Sequence, residues 1–137
     1  MNIKYSLSND TWDENEIKAI NRVIASNRFT MGQEVAEYEK KFAEKFGAKF
    51  AVMSNSGSSA NLLAVAALVY SGKLQKGDEV LVPAVSWSTT YFPLEQFGIK
   101  ARLVDIDLAT LNIDLNKIEN AITPSTKAIF AVNLLGN

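Results

Sequence analysis

From Lys49 to the end of the chain, short apolar runs alternate with segments whose apolar residues recur at helical spacing. The runs predict strands at residues 50–53, 79–83, 101–106 and 127–133, and the periodic segments predict helices at residues 60–70, 89–97 and 115–121. This alternation is typical of a parallel or mixed sheet whose faces are covered by helices. The sequence therefore predicts an α/β fold for residues 49–137.

Residues 1–48 have a different pattern and predict a helical arm. Thr11 followed three residues later by Glu14 matches a capping box, and apolar residues then recur at helical spacing over residues 13–26. A polar break precedes a second periodic segment, which Gly47 is placed to end. The apolar face of that segment is formed by Val35, Tyr38, Phe42 and Phe46. The predicted organisation is an amino-terminal helical arm over residues 1–48 and an α/β domain over residues 49–137.

The balance of charge argues against nucleic acid and membrane as partners. The 137 residues contain 14 Lys and Arg and 15 Asp and Glu, a formal net charge of −1, and no cluster of basic residues stands out. A surface that binds nucleic acid or an anionic membrane requires a positive field that this composition does not produce. Without a membrane-length apolar run or a signal-peptide pattern, the expected location is the cytoplasm.

Two residue types that carry much enzyme chemistry are absent, because the sequence contains no Cys and no His. Disulfides, thiolate catalysis and thiolate metal sites are thereby excluded from these 137 residues. A Ser-His-Asp arrangement cannot be completed, and the commonest zinc ligand is missing. The sequence predicts no metal site and no catalytic residue in this stretch.

The strongest candidate for a binding site is the run of small hydroxylated residues at 54–61, which leads into a very apolar helix. The first N–H groups of a helix lack partners within the helix and carry partial positive charge, so they bind phosphate without basic side chains. Gly57 and the short serines beside it let a ligand approach this backbone. The alternative is an ordinary helix cap and loop. The run lacks the residues of a Walker motif, a dinucleotide fingerprint or a nucleophile elbow.

Two further candidates lie at the ends of predicted strands, at the edge where open α/β sheets bind ligands. Trp87 follows the strand at 79–83, and its indole either stacks on a planar ligand ring or serves as a core or interface aromatic group. Asp105 and Asp107 lie at the end of the next strand. Turn and capping roles are favoured for these two carboxylates over acid–base catalysis.

Several motifs, in order along the chain, resemble those of the DegT/DnrJ/EryC1/StrS family of sugar aminotransferases, which are fold-type I enzymes dependent on pyridoxal 5′-phosphate (PLP). The motifs are SGSSA at 56–60, GDEVLVPA at 77–84, SWST at 86–89 and VDID at 104–107, preceded by NRFTMG at 27–32. Within the family, VSWSTTYFPL at 85–94 and NLLGN at 133–137 are most similar to the CDP-4-keto-6-deoxyglucose 3-dehydrases, which use pyridoxamine 5′-phosphate (PMP).

The resemblance implies a fold and a set of binding residues. The fold is the amino-terminal part of the large domain of a fold-type I transferase, a mixed sheet flanked by helices and preceded by the helical arm. The backbone N–H groups and serine hydroxyls at the start of the apolar helix would hold the cofactor 5′-phosphate, and an indole would stack on the pyridine ring. The residues implied in cofactor binding are Gly57, Ser58, Ser59 and Trp87, and those implied in substrate binding are Phe29, Thr30 and Gly32.

The activity implied by the resemblance is removal of the C3 hydroxyl of CDP-4-keto-6-deoxyglucose in nucleotide-deoxysugar (lipopolysaccharide O-antigen) biosynthesis. Nucleotide-sugar aminotransfer is the alternative, and a non-catalytic module that binds a phosphorylated metabolite is an alternative of another class. The residue that separates the two activities, a His in dehydrases and a Lys in aminotransferases, is expected beyond Asn137. The chain is therefore expected to be an amino-terminal portion of a longer enzyme and to be inactive alone.

The partners implied by the resemblance are a nucleotide-linked keto-deoxysugar as substrate, a second copy in a homodimer of the full-length enzyme, and, for the dehydrases, a reductase. Some 3-dehydrases also carry an iron–sulfur cluster held by Cys. Because these 137 residues contain no Cys, the sequence leaves the presence of a cluster open.

Overall fold

The computed structural model describes residues 10–137, so the first nine positions of the predicted arm lie outside the described residues. The chain divides into two compact units after Met53, five residues beyond the predicted boundary. No helix in the part of the chain that is described is long and apolar enough to cross a membrane.

The first unit contains α1 (Glu14–Ser26) and α2 (Gln33–Phe46). A capping box begins α1, but its members are Asp13 and Glu16 rather than the predicted Thr11 and Glu14. The Asp13 carboxylate accepts from the N–H of Asn15 at 2.6 Å, and the Glu16 carboxylate accepts from the N–H of Asp13 at 2.7 Å. The prediction was wrong by two residues because Asp13 and Glu16 satisfy the same spacing with two carboxylates, which the positive end of the helix dipole favours.

The second helix has the predicted face and the predicted end. Gly47 adopts a left-handed conformation (φ 63°), and its N–H donates to carbonyls of the last turn of α2. Along the apolar face the Tyr38 and Phe42 rings lie 5.6 Å apart and the Phe42 and Phe46 rings 4.6 Å apart. The helical periodicity that predicted α2 is therefore confirmed.

The predicted strand at residues 50–53 is absent, and these residues form an irregular segment at the end of the first unit. Its backbone makes one bond to a side chain, from the N–H of Met53 to the Glu39 carboxylate at 2.8 Å. A short apolar run becomes a strand only where a neighbouring strand supplies ladder hydrogen bonds, and none pairs with this segment in residues 10–137. The prediction of this strand was wrong for that reason.

The second unit is built on a three-stranded sheet of β1 (Glu79–Pro83), β2 (Lys100–Val104) and β3 (Thr126–Ile129). The strand order is β2-β1-β3, and β1 pairs in parallel with both neighbours. The strands described are therefore all parallel, one of the two sheet types that the alternation predicted. The bounds of β1 are as predicted, whereas β2 ends two residues and β3 four residues earlier than predicted.

Helices cover both faces of this sheet, namely α3 (Gly57–Tyr70), α4 (Phe92–Gln96) and α5 (Leu115–Ala121). The predicted helix at 89–97 is divided into a 3-10 turn, Ser88–Thr90, and the short α4. Pro93 explains the division, because it has no N–H to continue the turn but fits the first turn of a new helix. A second 3-10 turn, Leu134–Gly136, follows β3.

The core lies on both faces of β1. On one face Val80 and Val82 pack with Val65 of α3 and Leu94 of α4. On the other face Leu81, which is fully buried, packs with Val104 and Ile113 and with the inner side of α5. Burying such a side chain stabilises the fold by about 1.5–3 kcal/mol. The apolar faces of β1 thus fix where its carboxyl end, and the residues that follow it, are placed.

Candidate functional site

The run of small residues predicted as a phosphate cradle forms the start of α3. Ser56 is the N-cap, in extended conformation, and its hydroxyl oxygen accepts from the N–H of Ser59 at 3.1 Å. The same hydroxyl donates to the Ser59 hydroxyl at 3.2 Å, and the Ser54 hydroxyl donates to the Ser56 carbonyl at 3.0 Å. A serine cap of this kind fixes the direction of the first turn and the N–H groups that it exposes.

Two backbone N–H groups at this helix start, those of Gly57 and Ser58, have no acceptor among the described residues. The third predicted N–H, that of Ser59, donates to the Ser56 cap. Gly57 has no positive φ, and a Cβ added there would meet no atom within 4 Å. Neither backbone conformation nor packing within the described chain therefore calls for glycine, and the space beside it is open to an anion.

A shallow groove of about 180 Å³ lies beside this cradle. It is lined by Ser58, Ser59, Leu62, Thr89, Phe92, Pro93 and Gln96. The side chain of Asn61 donates to the Thr89 carbonyl at 3.2 Å, which ties α3 to the 3-10 turn that follows β1. The start of α3 and the segment after β1 therefore form one candidate site at the carboxyl edge of the sheet.

Trp87 lies immediately before that 3-10 turn and is 75% exposed. Its carbonyl accepts from the N–H of Thr90 at 2.9 Å, and Thr90 is buried with its hydroxyl 2.9 Å from that of Ser86. The backbone of Trp87 is therefore held by a hydrogen bond to the buried Thr90, while the indole ring is exposed. A core role for Trp87 within the described chain is excluded by its exposure, and its ring faces are available for stacking.

Of the two acidic residues after β2, Asp107 has the predicted turn role, whereas Asp105 forms an ion pair with Lys117 of α5. The Asp107 carboxylate accepts from the N–H groups of Thr110 and Ala109, both at 2.9 Å, and these bonds lower its pKa. Asp105 accepts from the Lys117 ammonium at 2.7 Å and from the N–H of Ile106, and its pKa is lowered in the same direction. Neither carboxylate has the raised pKa of a general acid.

The residues predicted to bind substrate lie in the first unit. Phe29 and Gly32 line a cleft of about 490 Å³ between the end of α1 and the start of α2, while Thr30 is not among its lining residues. Arg22 spans the cleft in an ion pair with Glu34 at 3.1 Å. Gly32 allows close packing, since a Cβ there would lie 3.2 Å from the Arg28 carbonyl. No cluster of metal-ligating side chains occurs anywhere in the described ranges.

Residues 10–137 match the DegT/DnrJ/EryC1/StrS aminotransferase family. The chain belongs to this family. The resemblance inferred from the five motifs is therefore confirmed. The predicted fold, the amino-terminal part of the large domain of a fold-type I transferase, is confirmed as well, because solved relatives superpose on nearly the whole chain. The resemblance implied a mixed sheet, and the three strands of the described residues are all parallel.

Two relatives in this family have names that refer to dehydration at C3. GDP-4-keto-6-deoxy-D-mannose 3-dehydratase of Yersinia pseudotuberculosis is 62% identical over 137 residues, which cover 98% of this chain and 35% of that protein. The solved structure of the Escherichia coli enzyme of that name with bound hydrated PLP superposes with a TM-score of 0.93 at 57% identity, and the match covers 98% of this chain and 35% of that one.

A third relative in the family has an aminotransferase name. The dTDP-3-amino-3,6-dideoxy-alpha-D-galactopyranose transaminase of Aneurinibacillus thermoaerophilus is 37% identical over 119 residues, which cover 87% of this chain and 32% of that protein. The chain thus spans about a third of the length of the relatives it matches.

Sequence reasoning missed the hydrogen bond between Asn61 and Thr89, which joins the start of α3 to the segment after β1 in the candidate site. The available signal was that Asn61 is the one strongly polar residue inside the otherwise apolar segment 60–70. A polar side chain there needs a hydrogen-bond partner, and a backbone carbonyl on the neighbouring segment supplies it.

Proposed function

We propose that this chain is the amino-terminal part of a PLP- or PMP-dependent enzyme that removes the C3 hydroxyl of a nucleotide-linked 4-keto-6-deoxyhexose in deoxysugar biosynthesis. The observation that carries the proposal is the 62% identity, over 98% of the chain, to a GDP-4-keto-6-deoxy-D-mannose 3-dehydratase. The proposed substrate is accordingly a GDP-linked sugar, whereas the motif resemblance alone favoured a CDP-linked one. The reaction is the same in both cases.

The cradle at the start of α3 is the proposed site of the cofactor 5′-phosphate. The N–H groups of Gly57 and Ser58 are unpaired in the described chain and lie at the positive end of a 14-residue helix. The Ser58 and Ser59 hydroxyls line the groove beside them and supply further donors. The bound cofactor delocalises the electron pair left on carbon when a proton is removed.

Trp87 is proposed to orient the cofactor by stacking on its pyridine ring. Support comes from the exposed indole on a backbone fixed by the buried Thr90, and from the contact of the following turn with α3. A flat aromatic side chain beside a phosphate site suits a flat phosphorylated ligand. Phe29, Thr30 and Gly32 are proposed, from the resemblance, to contact the sugar substrate, and the cleft lined by two of them supports an accessible surface there.

Aminotransfer is the second candidate function, favoured by relatives with aminotransferase names, one of them at 37% identity. We rank it below dehydration because the identity to two dehydratases is 62% and 58%. The His or Lys that separates the two reactions, proposed to lie beyond Asn137, decides between them. This 137-residue chain is accordingly proposed to be inactive alone.

A homodimer of the full-length enzyme is the proposed assembly. It is supported by the outward face of α3, where Leu63 is 52% and Tyr70 84% exposed, since apolar surface of this extent on a helix calls for a cover. The remainder of the same polypeptide is the competing cover. A reductase partner and a cytoplasmic location stay predictions, and the presence of an iron–sulfur cluster stays open.

The test is a product analysis of the full-length protein. Purified protein with PMP, and separately with PLP and an amino donor, is incubated with GDP- and CDP-linked 4-keto-6-deoxyhexoses, and the sugars are analysed by mass spectrometry and NMR. The proposal expects a 3-deoxy sugar from the GDP-linked substrate. An amino sugar would establish aminotransfer instead, and phosphate-ligand binding without any new sugar would favour the non-catalytic module.

A further inference from the structure

The turn that follows β3 is joined by side-chain hydrogen bonds to the loop at residues 105–114, which follows β2. The Asn112 side chain accepts from the N–H of Leu134 through Oδ1 at 3.0 Å and donates through Nδ2 to the Asn137 carbonyl at 3.0 Å. The Asn137 side chain donates in return to the Thr110 carbonyl at 3.0 Å. Asn112 thus binds both ends of the turn Leu134–Gly136 with one amide.

The loop that carries Asn112 is itself firmly held. Asp107 and Asn112 are joined by a backbone bond of 2.9 Å, and the Asp107 carboxylate binds two further N–H groups inside the loop. The next residue, Ile113, is buried in the core and forms an isolated bridge with Ile106. The amide of Asn112 therefore extends from a backbone that is held in place. Its hydrogen bonds can fix the positions of the Leu134 N–H and the Asn137 carbonyl.

The turn after β3 is closed by two backbone bonds, from the N–H of Gly136 to the Asn133 carbonyl at 3.2 Å and from the N–H of Asn137 to the Leu134 carbonyl at 3.1 Å. The side-chain bonds of Asn112 and Asn137 join this turn to the loop. Leu135 has a left-handed backbone (φ 57°), which a residue with a Cβ adopts only when its surroundings impose it, and its side chain is 90% exposed. Packing of Leu135 within the described chain is thus not the cause. The backbone bonds of the turn and the side-chain bonds of Asn112 and Asn137 hold this conformation, and the side-chain bonds fix the turn against the anchored loop.

The turn lies at the edge of the sheet where the cofactor is proposed to bind. Because β3 is parallel to β1, its carboxyl end is on the same side as the segment that carries Trp87. We infer that Asn112 is a positioning residue of the cofactor site: it holds the turn after β3 as one wall of that site. The inference rests on the proposed function, which places the cofactor at this edge.

The test uses the full-length holoenzyme with Asn112→Ala, Asn112→Asp and Asn137→Ala. Asn112→Ala is expected to lower kcat at least tenfold while PLP affinity, set by the start of α3, changes less than twofold. Asn112→Asp keeps the acceptor for the N–H of Leu134 but loses the donor, so it is expected to recover part of kcat. Asn120→Ala is the control, because Asn120 is an exposed residue of α5 whose side chain makes no hydrogen bond in the described chain.

Two further measurements separate positioning from general stability. Asn137→Ala is expected to lower kcat less than Asn112→Ala, and the double variant is expected to be no worse than Asn112→Ala, since both act through one turn. If Asn112→Ala does not fold, the Asp and Asn137 variants carry the same test. Wild-type kcat and KM in folded Asn112→Ala, or in both other variants, would overturn the inference. Absence of PLP binding and of product in the wild-type enzyme would overturn the proposed function instead.

Discussion

Gly57 is the residue where stability and binding are expected to respond in opposite directions. It is helical and has open space around its Cα, so Gly57→Ala should stabilise the fold by about 0.5–1 kcal/mol through reduced backbone entropy. The new methyl group occupies the approach to the N–H groups, so PLP affinity should fall roughly tenfold, equivalent to about 1.4 kcal/mol. Thermal unfolding of the apoenzyme and a PLP titration measure the two effects.

The matched control for that variant is Gly47→Ala. Gly47 also has no neighbour within 4 Å of an added Cβ, but its φ of +63° makes any other residue strained. This control should lower the melting temperature and leave PLP affinity unchanged. A Gly57→Ala enzyme that binds PLP as tightly as wild type would mean that the phosphate does not approach this backbone.

Trp87 is a second residue whose effect on PLP binding can be measured apart from its effect on stability. Trp87→Ala should weaken PLP binding by about 1 kcal/mol if the indole stacks on the ring, and Trp87→Phe should retain most of the affinity. The melting temperature of the apoenzyme should stay the same for both, because the side chain is largely exposed. Unchanged PLP affinity in Trp87→Ala, measured by titration of the apoenzyme, would leave the indole with a role at an interface.

The bounds of helices and strands were predicted best where the local sequence pattern and the packing of the fold favour the same structure. The bounds of β1 and α5 were predicted correctly, since a fully apolar run and a capped helix each form where neighbours also need them. The run at 50–53 has the same local pattern as a strand but no partner strand in the described chain, and periodicity carries no information on partners.

The sequence predicted individual residues of the candidate site, but not the contacts that bring these residues together. Gly57 and Trp87 carry recognisable local signals, a glycine at a helix start and an aromatic residue after a strand. The links between segments depend on contacts far apart in sequence, such as Asn61 with Thr89 and Asn112 with the turn after β3. One sequence contains no signal for which distant carbonyl or N–H an amide will meet.

The loop between β2 and α5 should give the protein a defined acid response. The pKa of Asp107 is lowered by the N–H groups of Thr110 and Ala109, so its contribution to stability is complete above the unfolded pKa and is lost as pH falls through the lower folded pKa. We expect Asp107→Asn to reduce the loss of stability below about pH 4. Unfolding by circular dichroism at several pH values measures this.

Carboxyl NMR titration supplies the control for that prediction. The Lys117 ammonium is the first cause of the lowered pKa of Asp105, so Lys117→Met should raise the pKa of Asp105 and leave that of Asp107 unchanged. An Asp107 pKa at or above the ordinary aspartate value would contradict the hydrogen bonding of the loop.

For the whole molecule, the central question is what covers the outward face of α3. This helix is apolar on nearly every side, yet only Val65 is fully buried, and Leu63 and Tyr70 face outward. A helix without a polar face belongs in an interior, so in the full-length protein this face should be covered by the rest of the chain or by a second copy.

The variant Leu63→Asp in the full-length protein tests whether the rest of the same polypeptide or a second copy buries the outward face of α3. A charge placed in a buried apolar contact costs several kcal/mol, so the variant should melt at a lower temperature if the same polypeptide covers the face, or dissociate into folded monomers if a second copy does. Asn120→Asp adds the same charge to an exposed position of α5 and should do neither. Sedimentation velocity and thermal unfolding together separate the two covers. A Leu63→Asp protein with wild-type assembly and melting temperature would show that this face remains in water in the complete enzyme.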